Sequence, residues 1–143
     1  MSVEGIPAGA LIAVDSAPII YFLEDHKKFA GRYAPYFEAA EAGEIEIIIS
    51  TVTLAEVVSG PLREGNEMLA AQYKAALMGA PGWRVVSLDA EIAISAARLR
   101  GRYKLRLPDA IQVATAVTTG AYALLTNDRA LKSIKEIRII GMS

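Results

Sequence analysis

Chemistry in this 143-residue chain has to rest on oxygen. There is no cysteine and a single histidine, His26. That removes thiolate nucleophiles, cysteine-type zinc sites and multi-histidine metal centres. A Ser-His-Asp triad would depend on His26 alone, which stands beside Lys27 and Lys28 in an expected exposed loop. Four acids are more informative. Asp15 closes an apolar run over residues 10–14, and Glu56 lies one turn into the helix expected after residues 44–49. Asp109 opens a helix after Leu107-Pro108, and Asp128 follows the run 122–126 by two residues. In open α/β sheets ligands gather beyond the carboxyl ends of strands, where four such side chains can share one pocket. Repelling carboxylates are tolerated there mainly when a cation neutralises them. Hard oxygen donors without His or Cys select Mg²⁺ or Mn²⁺, ions that activate water and stabilise a phosphoryl transition state.

Each acid also has an ordinary structural explanation. Thr53-x-x-Glu56 matches a helix capping box. Asp109 in a first helical turn complements the helix dipole. Asp15-Ser16 and Asn127-Asp128 fit N-caps or turns. The four become a chemical hypothesis only as a set.

The elements that must position them follow from apolar runs and breakers. Strands are expected at residues 10–14, 44–49, 83–88, 122–126 and 137–140. Helices are expected around Ile19–Leu23, at 32–42, from Thr53 to Gly60-Pro61, at 67–78, at 91–103 and from Pro108 to Gly120, with a short one after Asp128. Apolar strands alternating with helices indicate an α/β domain with a mostly parallel sheet, here expected as one domain over residues 1–143. Neither G-x-G-x-x-G nor G-x-x-x-x-G-K-[ST] occurs, so no phosphate loop is expected.

Charge is unevenly spread. Residues 1–83 hold 5 Lys/Arg against 11 Asp/Glu, whereas residues 84–143 hold 10 against 5. If residues 98–106 are helical, Arg98, Arg102 and Arg106 share one face, either as a solvated surface or as a ridge contacting phosphates. The uncharged stretch 110–127 carries four threonines, Gln112, Gly120 and Asn127, which argues against a membrane span. Residues 1–9 carry Glu4 and no basic stretch, so no secretory leader is expected, and a cytoplasmic protein is. At 53% hydrophobic residues the chain is rich in apolar surface for one small core. The positions Ile19, Tyr21 and Phe22, with Met68, Leu69, Tyr73 and Leu77, therefore suggest a homodimer. The competing explanation is that a parallel sheet must be covered on both faces.

At these residues the chain resembles the PIN-domain family, especially the VapC-type toxin ribonucleases of VapBC toxin–antitoxin pairs. The matching segments are Val14-Asp15-Ser16 with its following apolar run, Thr53-Leu54-Ala55-Glu56-Val57, Leu107-Pro108-Asp109-Ala110 with Ala114-Thr115-Ala116, and Leu125-Thr126-Asn127-Asp128. They occur in the family's order over residues 14–129. The resemblance implies a PIN-like three-layer fold, with a five-stranded, mostly parallel sheet flanked by helices. It implies a divalent-metal site, Mg²⁺ or Mn²⁺, held by Asp15, Glu56, Asp109 and Asp128, and RNA as substrate. Ser16 and Thr126 become candidates for positioning water or a ligand, Asn127 a weaker one. It further implies a cognate antitoxin, which in relatives often inserts a basic side chain among the acids. Two departures stand out. Ala17 replaces a polar residue frequent in relatives, and Arg129-Ala130 leaves no additional aspartate after Asp128, which weighs against a stable two-metal site. The alternative from another class is a catalytically silent PIN-like module that binds RNA or protein.

Overall fold

The computed structural model describes residues 3 and 5–142, so the leader expectation over residues 1–9 falls partly on positions outside the described residues. Five strands form one sheet: β1 (Leu11–Val14), β2 (Glu46–Ser50), β3 (Trp83–Val86), β4 (Ala123–Leu125) and β5 (Arg138–Ile140). Their order is β3-β2-β1-β4-β5 and every pairing is parallel. Six helices connect them: α1 (Ser16–Leu23), α2 (Ala30–Glu41), α3 (Thr51–Arg63), α4 (Glu67–Gly79), α5 (Ala90–Tyr103) and α6 (Leu107–Thr118). A 3₁₀ turn, Arg129–Leu131, follows β4.

The inner strands β1 and β4 are wholly apolar and β2 nearly so because both sheet faces are covered there, while the edge strands β3 and β5 carry Arg84 and Arg138. Side chains alternate between two cores. Ala13, Ile48 and Leu124 face α5 and α6, among Ala96, Leu99 and Ala114. Ile12, Val14, Ile47, Ile49, Ala123 and Leu125 face the opposite side, where Ile19 of α1, Tyr33 and Phe37 of α2 and Leu77 of α4 meet them. Register follows this alternation, with Ile12 opposite both Ile47 and Ala123, and Ala13 opposite Ile48 and Leu124. The uncharged stretch noted in the sequence is the inner helix α6 running into β4. All residues from Asp109 to Ala116 are buried, and the small Ala110, Ala114 and Ala116 let this helix lie close to its neighbours. No helix among the described residues is long and apolar enough to cross a membrane.

The chain winds from β1 outward through β2 to β3, then crosses back to place β4 on the other side of β1. The direction of winding reverses beside β1, where the carboxyl ends of β1 and β4 face a common edge, the place where such sheets bind ligands.

Three expectations need correction. α3 begins at Thr51 rather than Thr53, because Ser50 caps it, its Oγ accepting the Val52 N–H at 3.0 Å. The Thr53/Glu56 pair is therefore not the capping box its spacing suggests. Gly60-Pro61 does not end that helix. Pro61 lacks an N–H but is buried, and the helix continues to Arg63. Finally, α5 stops at Tyr103, where Lys104 turns left-handed with φ +57°. Arg106 consequently caps α6 and does not share a helix face with Arg98 and Arg102.

One glycine holds the end of β5 against the edge that carries the acids. Gly141 has φ +99°, and a Cβ there would meet Leu125 Cδ1 at 2.5 Å and the Thr126 carbonyl oxygen at 3.1 Å. Leu125 is fully buried and cannot yield, and the Gly141 carbonyl accepts the Tyr33 hydroxyl at 3.0 Å. Gly141→Ala is expected to lower unfolding stability by about 2 kcal/mol or more, measured by urea titration. An unchanged midpoint would contradict this packing.

Candidate active site

Asp15 ends β1 and caps α1. Its Oδ1 accepts the Ser16 N–H at 2.8 Å, and its Oδ2 accepts the Thr126 hydroxyl at 2.8 Å. Thr126 Oγ1 in turn accepts the Asp128 N–H at 3.0 Å, while Asp128 Oδ1 caps the 3₁₀ turn through the Ala130 N–H at 3.0 Å. Pairing of β1 with β4 makes this chain of contacts possible, and the Asp15 N–H extends it onto the Leu125 carbonyl at 2.9 Å. Thr126 is fully buried and Asp15 is 7% exposed. Burial pushes the Asp15 carboxyl up to about 6. The hydrogen bonds from Thr126 and Ser16 oppose that push, and the charges of Glu56 and Asp109 add to it.

Asp109 occupies the first turn of α6, buried, with its Oδ2 accepting from Arg106 Nε at 3.3 Å. Burial raises its proton affinity above the ordinary aspartate value, Arg106 counters this and the Asp128 charge adds to it. Glu56 projects half-buried from α3 and acts electrostatically on Asp15 and Arg106. The Arg106 guanidinium is held in its charged form by Asp109 first, then by Asp128 and Glu56. Asp15 and Asp128 are thus joined through Thr126, Asp109 is paired with Arg106, and Glu56 acts on Asp15 and Arg106 through its charge. Ser16 contributes through its backbone, and Thr126 is the side chain that joins two of the acids.

The spacing of the cluster is open. Among the described residues no group of three or more Asp, Glu or His side chains is drawn in closely enough to hold a metal ion as it stands. The donor set nevertheless fits a hard divalent cation in kind, being oxygen only, with a buried carboxyl at Asp15 whose charged form an adjacent cation would favour.

Gln112, a polar residue of the uncharged stretch with no site role expected from its position, is part of the site's support. It is 3% exposed and donates its amide to the Thr53 hydroxyl. Gln112 lies three residues after Asp109, and Thr53 three before Glu56, so this contact ties the two acid-bearing helices together one turn from the acids. A lone amide in an apolar helix was the available signal, since a buried amide must find a partner.

Other candidates are placed elsewhere. His26 Nδ1 accepts the N–H groups of Lys28 and Phe29, at 3.1 and 3.2 Å, and so organises the α1–α2 turn. The expected basic ridge is divided: Arg98 is exposed on α5 and Arg102 is ion-paired to Glu136. Only Arg106 of the three approaches the acids. Of the suggested dimer residues, Ile19 and Leu77 are buried in the chain's own core, whereas Phe22 and Met68 are exposed. An apolar cleft of about 170 Å³ between α1, α2 and α4 is lined by Ile19, Phe22, Phe37, Leu77 and Trp83, and by none of the four acids.

The PIN-domain family model matches residues 12–137. The chain belongs to the PIN-domain family. Solved structures agree in fold. VapBC2 of Rickettsia felis, bound to a DNA fragment from its promoter, superposes with a TM-score of 0.74 at 16% identity, over 91% of this chain and 97% of that one. A toxin–antitoxin complex from Klebsiella pneumoniae gives 0.67 at 23% identity, over 90% and 95%. VapC20 of Mycobacterium tuberculosis, described as a sarcin–ricin loop cleaving toxin, gives 0.67 at 17% identity, over 89% and 98%. No curated protein is significantly similar in sequence. The five-stranded parallel sheet of this PIN domain matches the architecture that the motifs implied.

The raised Asp15 carboxyl has a consequence for stability. Its folded pKa, about 6, exceeds the ordinary 3.8, so the folded state binds more protons between these values. Metal-free stability should therefore fall as pH rises from about 4 to about 6 and then level off, with an Asp15 contribution on the order of 3 kcal/mol. Asp15→Asn removes that contribution while retaining a cap acceptor for Ser16. In EDTA, its stability relative to wild type should increase across this pH window. A pH-independent difference in urea titrations would contradict the burial argument.

Proposed function

We propose that this PIN domain is a divalent-metal-dependent endoribonuclease and the toxin of a toxin–antitoxin pair. One observation carries the reading: at the carboxyl edge of a parallel sheet Asp15 is joined to Asp128 through Thr126 and feels the charges of Glu56 and Asp109, though these acids are distant in sequence. Bound there, Mg²⁺ or Mn²⁺ would supply Lewis acidity and lower the pKa of a water molecule. The four carboxylates would hold the ion directly or through water, which suits their open spacing and the reluctance of Mg²⁺ to lose its waters. Thr126 and the Ser16 N–H fix the rotamer of Asp15 and keep both its oxygens in place. Arg106, exposed at the mouth of the cluster, would release Asp109 and turn to the phosphate backbone of the substrate.

RNA as substrate draws support from the family resemblance and from VapC20, a sarcin–ricin loop cleaving toxin of the same fold. A cognate antitoxin draws support from the complexes of the structural neighbours. The exposed Phe22, Leu62, Met68 and Met78 leave apolar surface for that partner and for a homodimer. Residues 1–143 act as one nuclease domain in this reading, and the site of action is the cytoplasm. A second reading, a silent module that binds RNA or protein, is favoured by the Arg106–Asp109 ion pair and the open spacing of the acids.

Cleavage of a labelled single-stranded RNA separates the two. The folded protein should cut it with Mg²⁺ or Mn²⁺ and stop in EDTA. Asp109→Asn should slow cleavage by on the order of a hundredfold. Full activity in EDTA or in folded Asp109→Asn would remove the metal mechanism, and RNA binding without cleavage would establish the silent module.

A further inference from the structure

Three of the nine arginines have acidic partners in the described ion pairs. Arg84 meets Glu46, Arg102 meets Glu136 and Arg106 meets Asp109. Arg32, near the start of α2, has no carboxylate partner among the described residues. Its guanidinium is instead cradled by neutral groups. It lies 5.0 Å from the centre of the Phe29 ring, and Nη1 donates to Asn127 Oδ1 at 3.5 Å. It also stands beside the Tyr33 hydroxyl, where its charge partly offsets the upward push that burial gives that group. The aromatic support continues outward, since Phe29 packs against Tyr21 and His26 at centroid distances of 4.8 and 5.2 Å. Lys28 places a second cation 5.2 Å from the same Phe29 ring.

This arrangement leaves room for an anion to complete it. A half-buried guanidinium offers five N–H donors in a fixed fork. One weak amide contact and an aromatic face leave most of them, and the charge, open to solvent or a ligand. Neutral holders fix its direction without neutralising it, which is how a preorganised anion site differs from a structural ion pair. Location specifies the anion further. Asn127 lies between Thr126 and Asp128, so Arg32 reaches the same edge as the acid cluster from the α2 side. The basic segment of α5 does not serve that edge, because Arg102 is committed to Glu136 and α5 ends at Tyr103.

We propose that Arg32, oriented by Phe29 and Asn127, binds a non-scissile phosphate of the RNA strand beside the acid cluster, with Lys28 as a looser second contact. The assignment rests on the ribonuclease reading. It adds a backbone contact from the α1–α2 side to the one proposed for Arg106 at the start of α6. The neutral holders act as positioning residues, and the phosphate contact itself carries no base specificity.

Affinity for a fluorescein-labelled single-stranded oligoribonucleotide, measured by anisotropy in EDTA so that no turnover intrudes, tests the assignment. Arg32→Gln keeps a donor for Asn127 and removes the charge. It should weaken binding on the order of tenfold and reduce the slope of log K against log salt by about 0.7, the value for one single-strand phosphate contact. Arg32→Lys should restore the slope while recovering only part of the affinity, because an ammonium lacks the planar fork. Wild-type affinity and slope in Arg32→Gln would overturn the proposal, as would weaker binding with an unchanged slope, which marks an indirect effect. Should Arg32→Gln fail to fold, Arg32→Lys decides: reduced affinity at the wild-type slope supports the contact, and wild-type affinity refutes it. A wild-type protein that binds and cleaves no RNA would remove the ribonuclease reading itself and this assignment with it.

Discussion

The carboxylate of Asp15 is buried at the end of the central strand, and the rest of the site is arranged around that fact. A buried acid is expensive in its charged form. Here two hydrogen bonds, from the Ser16 N–H and the Thr126 hydroxyl, stabilise the charge without neutralising it. Both require the sheet. Ser16 must begin a helix immediately after β1, and Thr126 must leave β4 directly beside it. Parallel pairing in register, Val14 opposite Leu125, brings the next residues, Asp15 and Thr126, side by side. Thr126 then receives the Asp128 N–H, so one hydroxyl connects acids more than a hundred residues apart.

The other two acids are brought in by helix packing rather than by strand pairing. α6 is buried along eight consecutive residues, and its alanines allow close approach to the rest of the core. Its two polar residues in that stretch that face other elements, Asp109 and Gln112, are one turn apart and serve the same end of the sheet. Gln112 engages Thr53 on α3, which holds Glu56 one turn farther along. Removing a buried amide partner would leave a donor unsatisfied, so this contact has little freedom to slip. The site thereby inherits the rigidity of the core, as sites built on packed helices and strands do.

Cations complete the electrostatic picture in two ways. Arg106 pairs with Asp109 and lowers the repulsion among the acids while remaining largely exposed to solvent. Arg32 approaches from α2 and is held by an amide and aromatic rings. The first neutralises charge within the cluster and the second leaves charge available beside it. Such a division is what the proposed binding of RNA next to a group of carboxylates would need.

Much of this was legible in the residues themselves. Continuous apolar runs required a sheet covered on both faces, and glycine and proline positions bounded the elements to within two residues. Absence of cysteine and scarcity of histidine restricted the chemistry to oxygen donors, and the acids fell at strand ends where a parallel sheet collects ligands. Local signals failed where a tertiary contact outweighed them. Thr53 resembled a cap but is claimed by Gln112, leaving Ser50 to cap α3. Pro61 resembled a helix end but packs inside one. Arg98, Arg102 and Arg106 resembled a ridge until Lys104 adopted a left-handed conformation and separated the third from the first two. Arg32 carried no signal at all, because its meaning lies in Asn127 and Tyr33, which share no local pattern with it. Periodicity and composition describe what one segment must bury. Which side chain from a distant segment meets it depends on strand order and helix docking, and those are set by packing the whole chain at once.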